Sequence, residues 1–164
     1  TDLLWSLNNH LTNSMVMRDT AALLSRLDAD RMARPGKIGL LGYCMSGKFV
    51  YRGAADFADR VAAAVAMYGN PLVSDAPDSA HLTTGKISGE IYFGFAEQEV
   101  FYSAVDMMGE LETYFAPTKV RYRLELYRGR EHGFALPGRR TYHKNSSERH
   151  WIRVYDIFSR NLRQ

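Results

Sequence analysis

The chain has 164 residues, 46% of them hydrophobic, which suits one globular domain with a sizeable core. Its 21 basic and 18 acidic residues leave a formal charge of only +3, and the basic residues are scattered apart from the stretches 121–130 and 139–140, which argues against a nucleic-acid partner. The single cysteine excludes an internal disulfide and points to a reducing, cytoplasmic compartment, while no apolar run or signal pattern calls for a membrane.

Met15, Val16, Ala22, Leu23 and Leu27 predict a helix over residues 14–33, stopped by Arg34-Pro35-Gly36. A strand follows at 37–43, then a helix over 48–59 with Phe49, Val50 and Ala54 inward. The continuous apolar run 61–68 reads as a strand buried on both faces. Residues 70–88, with Pro71 and Pro77, read as a long connection. A third strand spans 91–96, and a helix spans 102–115 with Val105, Met108 and Leu111 inward. From 120 to 127, hydrophobic residues alternate with charged ones, as in a half-exposed strand near a sheet edge. A last helix covers 148–162, with Trp151, Val154, Tyr155 and Phe158 as its apolar face. Alternating strands and helices predict an α/β fold, a mostly parallel sheet with helices on both faces.

Gly42-Tyr43-Cys44-Met45-Ser46 lies between the first strand and its helix. A nucleophile flanked two residues away on each side by small residues, between strand and helix, has the form of a nucleophile elbow. The thiol also lies at a helix N-terminus, where the dipole favours thiolate. A lone cysteine at a strand end is otherwise a small buried hydrophobe. The same stretch, Gly42 to Lys48, also has the glycine and lysine spacing of a phosphate loop, but Phe49 stands where the magnesium-binding Ser or Thr belongs.

In a parallel sheet the site lies beyond the carboxyl ends of the strands. Glu97-Gln98-Glu99 follows the third strand, and Glu131-His132-Gly133 follows the fourth. A thiol, a carboxylate and an imidazole therefore fall on one edge, in the chain order nucleophile, acid, histidine. The imidazole can draw the proton from the thiol, and the carboxylate can fix the ring's tautomer. Glu99 is the candidate acid, with Glu97 its competitor, and Gly133 lets the loop bend behind His132. His10, His81, His143 and His150 lack strand-end positions and read as surface residues, so no metal site is expected.

These segments resemble the dienelactone hydrolase family of the α/β-hydrolase superfamily. GYCMSG resembles its cysteine elbow, FGFAEQEVFYS its acid segment and YRGREHGFALP its histidine segment. The resemblance runs from about residue 15 to the end and includes the helix over 148–162. It implies hydrolysis of a carboxylic ester or lactone without metal or organic cofactor. Cys44 would be the nucleophile, His132 the acid–base, Glu99 the orienting acid and the Met45 amide an oxyanion donor. Tyr43, Phe134 and Arg139 are the expected substrate contacts.

The sequence departs from the family pattern at three places. Glu99 stands at an Asp position. Leu136 stands where the family places an arginine for a substrate carboxylate, with Arg139 and Arg140 nearby. The family also continues on the N-terminal side of Thr1, so residues 1–164 read as the C-terminal two-thirds of a single α/β-hydrolase-type domain, and the start at Thr1 reads as mid-protein. On that reading the strand 37–43 has one bare apolar edge, which invites self-association and weakens activity. The alternative function is a non-catalytic member that acts by association through that edge.

Overall fold

The computed structural model describes residues 3, 6, 7 and 10–162; the two ends of the expected 1–164 domain lie outside the described residues. In chain order the elements are α1 (Asn13–Asp28), β1 (Ile38–Tyr43), α2 (Ser46–Asp56), β2 (Val61–Met67), a short 3₁₀ helix (Ala80–Lys86), β3 (Glu90–Gln98), α3 (Ala104–Phe115), β4 (Arg121–Glu131) and α4 (Lys144–Leu162). The strands form one sheet in the order β1-β2-β3-β4, with every pair parallel. This is the α/β architecture expected from the alternation of elements.

Side-chain alternation along β2 and β3 builds two cores. On one face Ala64, Ala66, Ile91, Phe93 and Phe95 pack with Val50, Tyr51 and Ala54 of α2 and Leu111 and Phe115 of α3. On the other, Ala63, Val65, Met67, Tyr92 and Ala96 pack with Val154 and Ile157 of α4. Each large apolar side chain buried in this way contributes about 1.5–3 kcal/mol. Gly94 is small because Met67 crosses it: a Cβ there would lie 2.6 Å from the Met67 sulfur. β4 is half exposed at the sheet edge, as its alternation predicts.

The helices turn faces to the core that differ from those expected. α1 buries Met17 and Leu24, while Met15 and Leu23 are exposed. It packs against α2, where the Met17 sulfur lies 3.7 Å from the place a Cβ on Gly53 would take. In α3, Leu111 is inward as expected and Val105 points to solvent. α4 buries Ser147, His150, Val154 and Ile157, whereas Trp151 and Tyr155 are exposed and stack on each other at 5.7 Å. Its inward face tolerates polar groups because distant elements satisfy them: the Ser147 hydroxyl donates to the Ala135 carbonyl at 2.8 Å. His150, expected at the surface, is fully buried for the same reason.

Candidate active site

Cys44 directly follows β1, Glu99 directly follows β3 and His132 directly follows β4, so parallel strands deliver all three to the same edge of the sheet. The turn after β1 is as tight as the small flanking residues require. Cys44 has φ +55°, a conformation that costs a non-glycine residue of order 1–3 kcal/mol. Its surroundings hold it there: the Cys44 amide donates to the Met67 carbonyl at 3.0 Å, and the Cys44 carbonyl accepts from Gly47 at 3.0 Å. The Ser46 hydroxyl accepts from the Tyr43 amide and donates to the Tyr43 carbonyl, both at 2.7 Å. A Cβ on Gly42 would lie 2.8 Å from the Ser46 carbonyl, and one on Gly47 would lie 2.5 Å from the Gly69 Cα. Backbone packing thus accounts for both glycines without a phosphate ligand.

His132 lies between Cys44 and Glu99. Its Nδ1 is 2.8 Å and 3.0 Å from the two Glu99 carboxylate oxygens, and the Glu99 side chain is fully buried. A carboxylate only accepts, so Nδ1 carries the proton. The thiol of Cys44 hydrogen-bonds the same ring. With Nδ1 engaged by Glu99, Nε2 is the nitrogen left to meet the sulfur. Glu97 is turned away: it accepts the Gly129 amide at 2.7 Å and pairs loosely with Arg128 at 4.0 Å. The carboxylate in contact with the imidazole is therefore Glu99.

The electrostatics follow from these contacts. The hydrogen bond from His132 lowers the Cys44 thiol below its ordinary range; burial opposes this, and the His132 charge, the Met45 amide and Arg139 add to it. Burial by itself would lower His132, but its hydrogen bonds to Cys44 and Glu99 and their negative charges outweigh it and raise the ring to about 9. These contacts favour the thiolate–imidazolium form of the pair over what an isolated thiol and imidazole would adopt.

Met45 and Arg139 also face the thiol. The Met45 amide at the start of α2 points to the sulfur, and the charge of Arg139 reaches both Cys44 and Tyr68. Gly133 has φ +86°, and the Arg139 side chain folds against it, 3.1 Å from where a Cβ would stand. The other two expected substrate contacts are placed differently. Phe134 is fully buried between Tyr68 and Tyr127, and the half-buried Tyr43 gives its hydroxyl to His150 at 2.7 Å.

Two residues that the sequence motifs do not mark flank the imidazole. The Tyr68 ring lies 4.9 Å from the His132 ring, and Phe101 meets it edge-on at 5.6 Å. Tyr68 follows β2, so the strand-end rule that picked out the other three points to it as well.

The Dienelactone hydrolase family profile matches residues 2–162. The chain belongs to the dienelactone hydrolase family. Among relatives of this dienelactone hydrolase family member, a Synechocystis protein named "Putative carboxymethylenebutenolidase" is 25% identical over 160 residues, covering 96% of this chain and 64% of its own length. The crystal structure of a "Putative Dienelactone Hydrolase" from Klebsiella pneumoniae superposes with a TM-score of 0.82 at 18% identity, covering 92% of this chain and 63% of that one. MGS-M1, an alpha/beta hydrolase enzyme from a deep-sea metagenome library, superposes with a TM-score of 0.63 at 13% identity, covering 84% and 61%. The fold is that of the α/β-hydrolases, and the chain spans just under two-thirds of the length of these relatives. Among the described residues, no helix is long and apolar enough to cross a membrane.

A first expected outcome concerns the thiol of this dienelactone hydrolase family member. Alkylation of Cys44 by iodoacetamide, followed against pH, should rise at a lower pH than for an ordinary thiol, because the contacts with His132 lower it. An ordinary thiol would instead gain reactivity through its pKa of about 8.5. A rate that climbs only above pH 8 would show that no ion pair forms.

Proposed function

We propose that the chain hydrolyses carboxylic esters or lactones through a thioester on Cys44. The observation that carries this reading is the contact series from Cys44 through His132 to the buried Glu99 carboxylate at the carboxyl edge of the sheet. The thiolate attacks the substrate carbonyl carbon, and the Met45 amide at the head of α2 donates to the oxyanion. Collapse of the tetrahedral intermediate breaks the carbon–oxygen bond. The leaving alkoxide takes the proton from Nε2 of His132; in a lactone it stays tethered to the acyl group. Neutral His132 then removes a proton from water, hydroxide adds to the thioester, and the thiolate departs with the acid as product. Glu99 holds the ring in one tautomer and offsets its charge in both halves. Residues 1–164 act as a single α/β-hydrolase-type domain on a small-molecule substrate, without metal or organic cofactor in any step.

Arg139 is the proposed contact for an anionic substituent of the substrate, since its charge already reaches the thiol and no carboxylate pairs with it among the described residues. Phe101, half exposed against His132, offers an apolar wall for the acyl group. The test is turnover of a neutral aryl acetate and of a carboxylate-bearing ester, with mass spectrometry of the intermediate. One acyl group should appear on Cys44, and Arg139→Gln should raise KM for the acidic ester only. Turnover that survives Cys44→Ala would refute the reading.

A second reading concerns partners. Among the described strands β1 pairs only with β2, so its other backbone edge is open to a second copy. A non-catalytic member that works by association through β1 would sediment as a dimer and never acquire an acyl group on Cys44.

A further inference from the structure

We propose that His150 is a positioning residue for Cys44: it holds the hydroxyl of Tyr43 and so fixes the turn that carries the thiol. The proposal rests on the hydrolase reading for its consequence in turnover, but its geometry is independent of that reading.

His150 lies on α4, 106 positions beyond Cys44 in the chain, and is fully buried. Its Nδ1 is 2.6 Å from the Ser147 carbonyl oxygen, one helical turn back. A carbonyl can only accept, so Nδ1 carries the hydrogen and Nε2 of the neutral ring presents a lone pair. The Tyr43 hydroxyl lies 2.7 Å from that Nε2 and is therefore the donor. Burial favours both forms required, lowering the imidazole and pushing the phenol up to about 12. The direction of the bond is thus set by chemistry at both ends.

Tyr43 immediately precedes Cys44, whose φ of +55° persists only while its neighbours over-determine it. Ser46 clamps the backbone of Tyr43, and β2 holds one side of β1. The bond to His150 adds a hold from α4, through the side chain. The same phenol ring lies 5.9 Å from Tyr68, the ring that packs on His132. One buried imidazole therefore steadies the residue beside the nucleophile, and the ring of that residue lies in turn beside the support of the partner base. Without that hold the turn can relax, the sulfur moves off the imidazole, and the thiolate fraction falls.

The test uses His150→Phe, which keeps ring volume and removes the acceptor, Tyr43→Phe, which removes the donor, and His150→Gln, whose amide oxygen can stand near Nε2. Alkylation of Cys44 by iodoacetamide is followed across pH, with ester turnover and circular dichroism alongside. His150→Phe and Tyr43→Phe should each slow alkylation at neutral pH, and lower kcat, by about tenfold, the effect of about one hydrogen bond, with KM unchanged. Their alkylation profiles should move towards the ordinary thiol range. The double variant should be no worse than either single one, because both remove the same bond, and His150→Gln should recover most of the rate. Where His150→Phe fails to fold, Tyr43→Phe decides. Folded phenylalanine variants with wild-type alkylation would overturn the proposal even if their melting temperatures fall, as would a His150→Gln enzyme as slow as His150→Phe. Alkylation needs no ester, so absence of turnover in the wild type would refute the hydrolase reading and leave this test intact.

Discussion

His132→Ala is expected to lower ester turnover by about 10⁴-fold or more, the scale on which removal of a member of a nucleophile–base unit acts. The ring has three tasks in the proposed cycle. It holds the thiol as thiolate, protonates the leaving alkoxide, and activates water against the thioester. The first task has its own readout. The hydrogen bond from His132 is the largest influence lowering the Cys44 thiol, so its removal should slow alkylation at neutral pH and move the profile up towards ordinary cysteine. The Met45 amide and the Arg139 charge remain, and the shift should therefore be incomplete. An alanine variant with turnover within about tenfold of wild type would exclude His132 from the chemistry, because general acid–base help of this kind contributes at least about 10².

The second large effect is expected at Glu99, and it separates the two neighbouring glutamates. Glu99→Gln keeps the shape of a fully buried side chain that lies 2.8 Å and 3.0 Å from Nδ1. It removes the charge that offsets the imidazolium, and its amide can donate where only an acceptor fits, favouring the wrong tautomer. Turnover should fall by about 10²–10⁴-fold. The pH dependence carries a sign. With folded His132 raised to about 9 above an unfolded value of about 6.5, the pair contributes stability that is fully present below pH 6.5 and is lost as pH rises through 9. Glu99→Gln lowers the folded value, so thermal unfolding followed from pH 6 to 10 should lose part of that slope. Glu97→Gln should leave turnover unchanged, since Glu97 is exposed and, among the described residues, pairs with the Gly129 amide and Arg128 rather than with His132. Equal losses in the two variants would place the orienting acid elsewhere.

Much of this site was legible in the chain because its chemistry is local. The elbow needs small residues at 42 and 46 wherever the rest of the fold lies, and the close approach of the Ser46 carbonyl to Gly42 is that same constraint seen in space. Parallel strands put every strand end on one edge, so Cys44, Glu99 and His132 could be grouped by position alone. Tyr68 obeys the same rule, and only its apolar surroundings in sequence made it look like ordinary core. The choice between Glu97 and Glu99 was not legible. The two are separated by one residue at a strand end, and the course of the chain beyond β3 decides which side chain turns towards His132.

The helix faces show where sequence periodicity stops being sufficient. Trp151 and Tyr155 form a reasonable apolar stripe, yet α4 turns Ser147 and His150 inward and leaves both aromatic rings in solvent. A polar side chain can be buried only if a partner meets it, and here the partners are Ala135, Tyr43 and the helix's own backbone. By itself the sequence determined the order of strands and helices, the tight turn at Cys44 and the edge on which the polar residues gather, because these follow from local backbone sterics and hydrophobic alternation. The tertiary structure alone decided which carboxylate meets His132, what supports that ring, and that His150 reaches Tyr43, because each depends on groups far apart in the chain whose hydrogen bonds exist only after the layers pack.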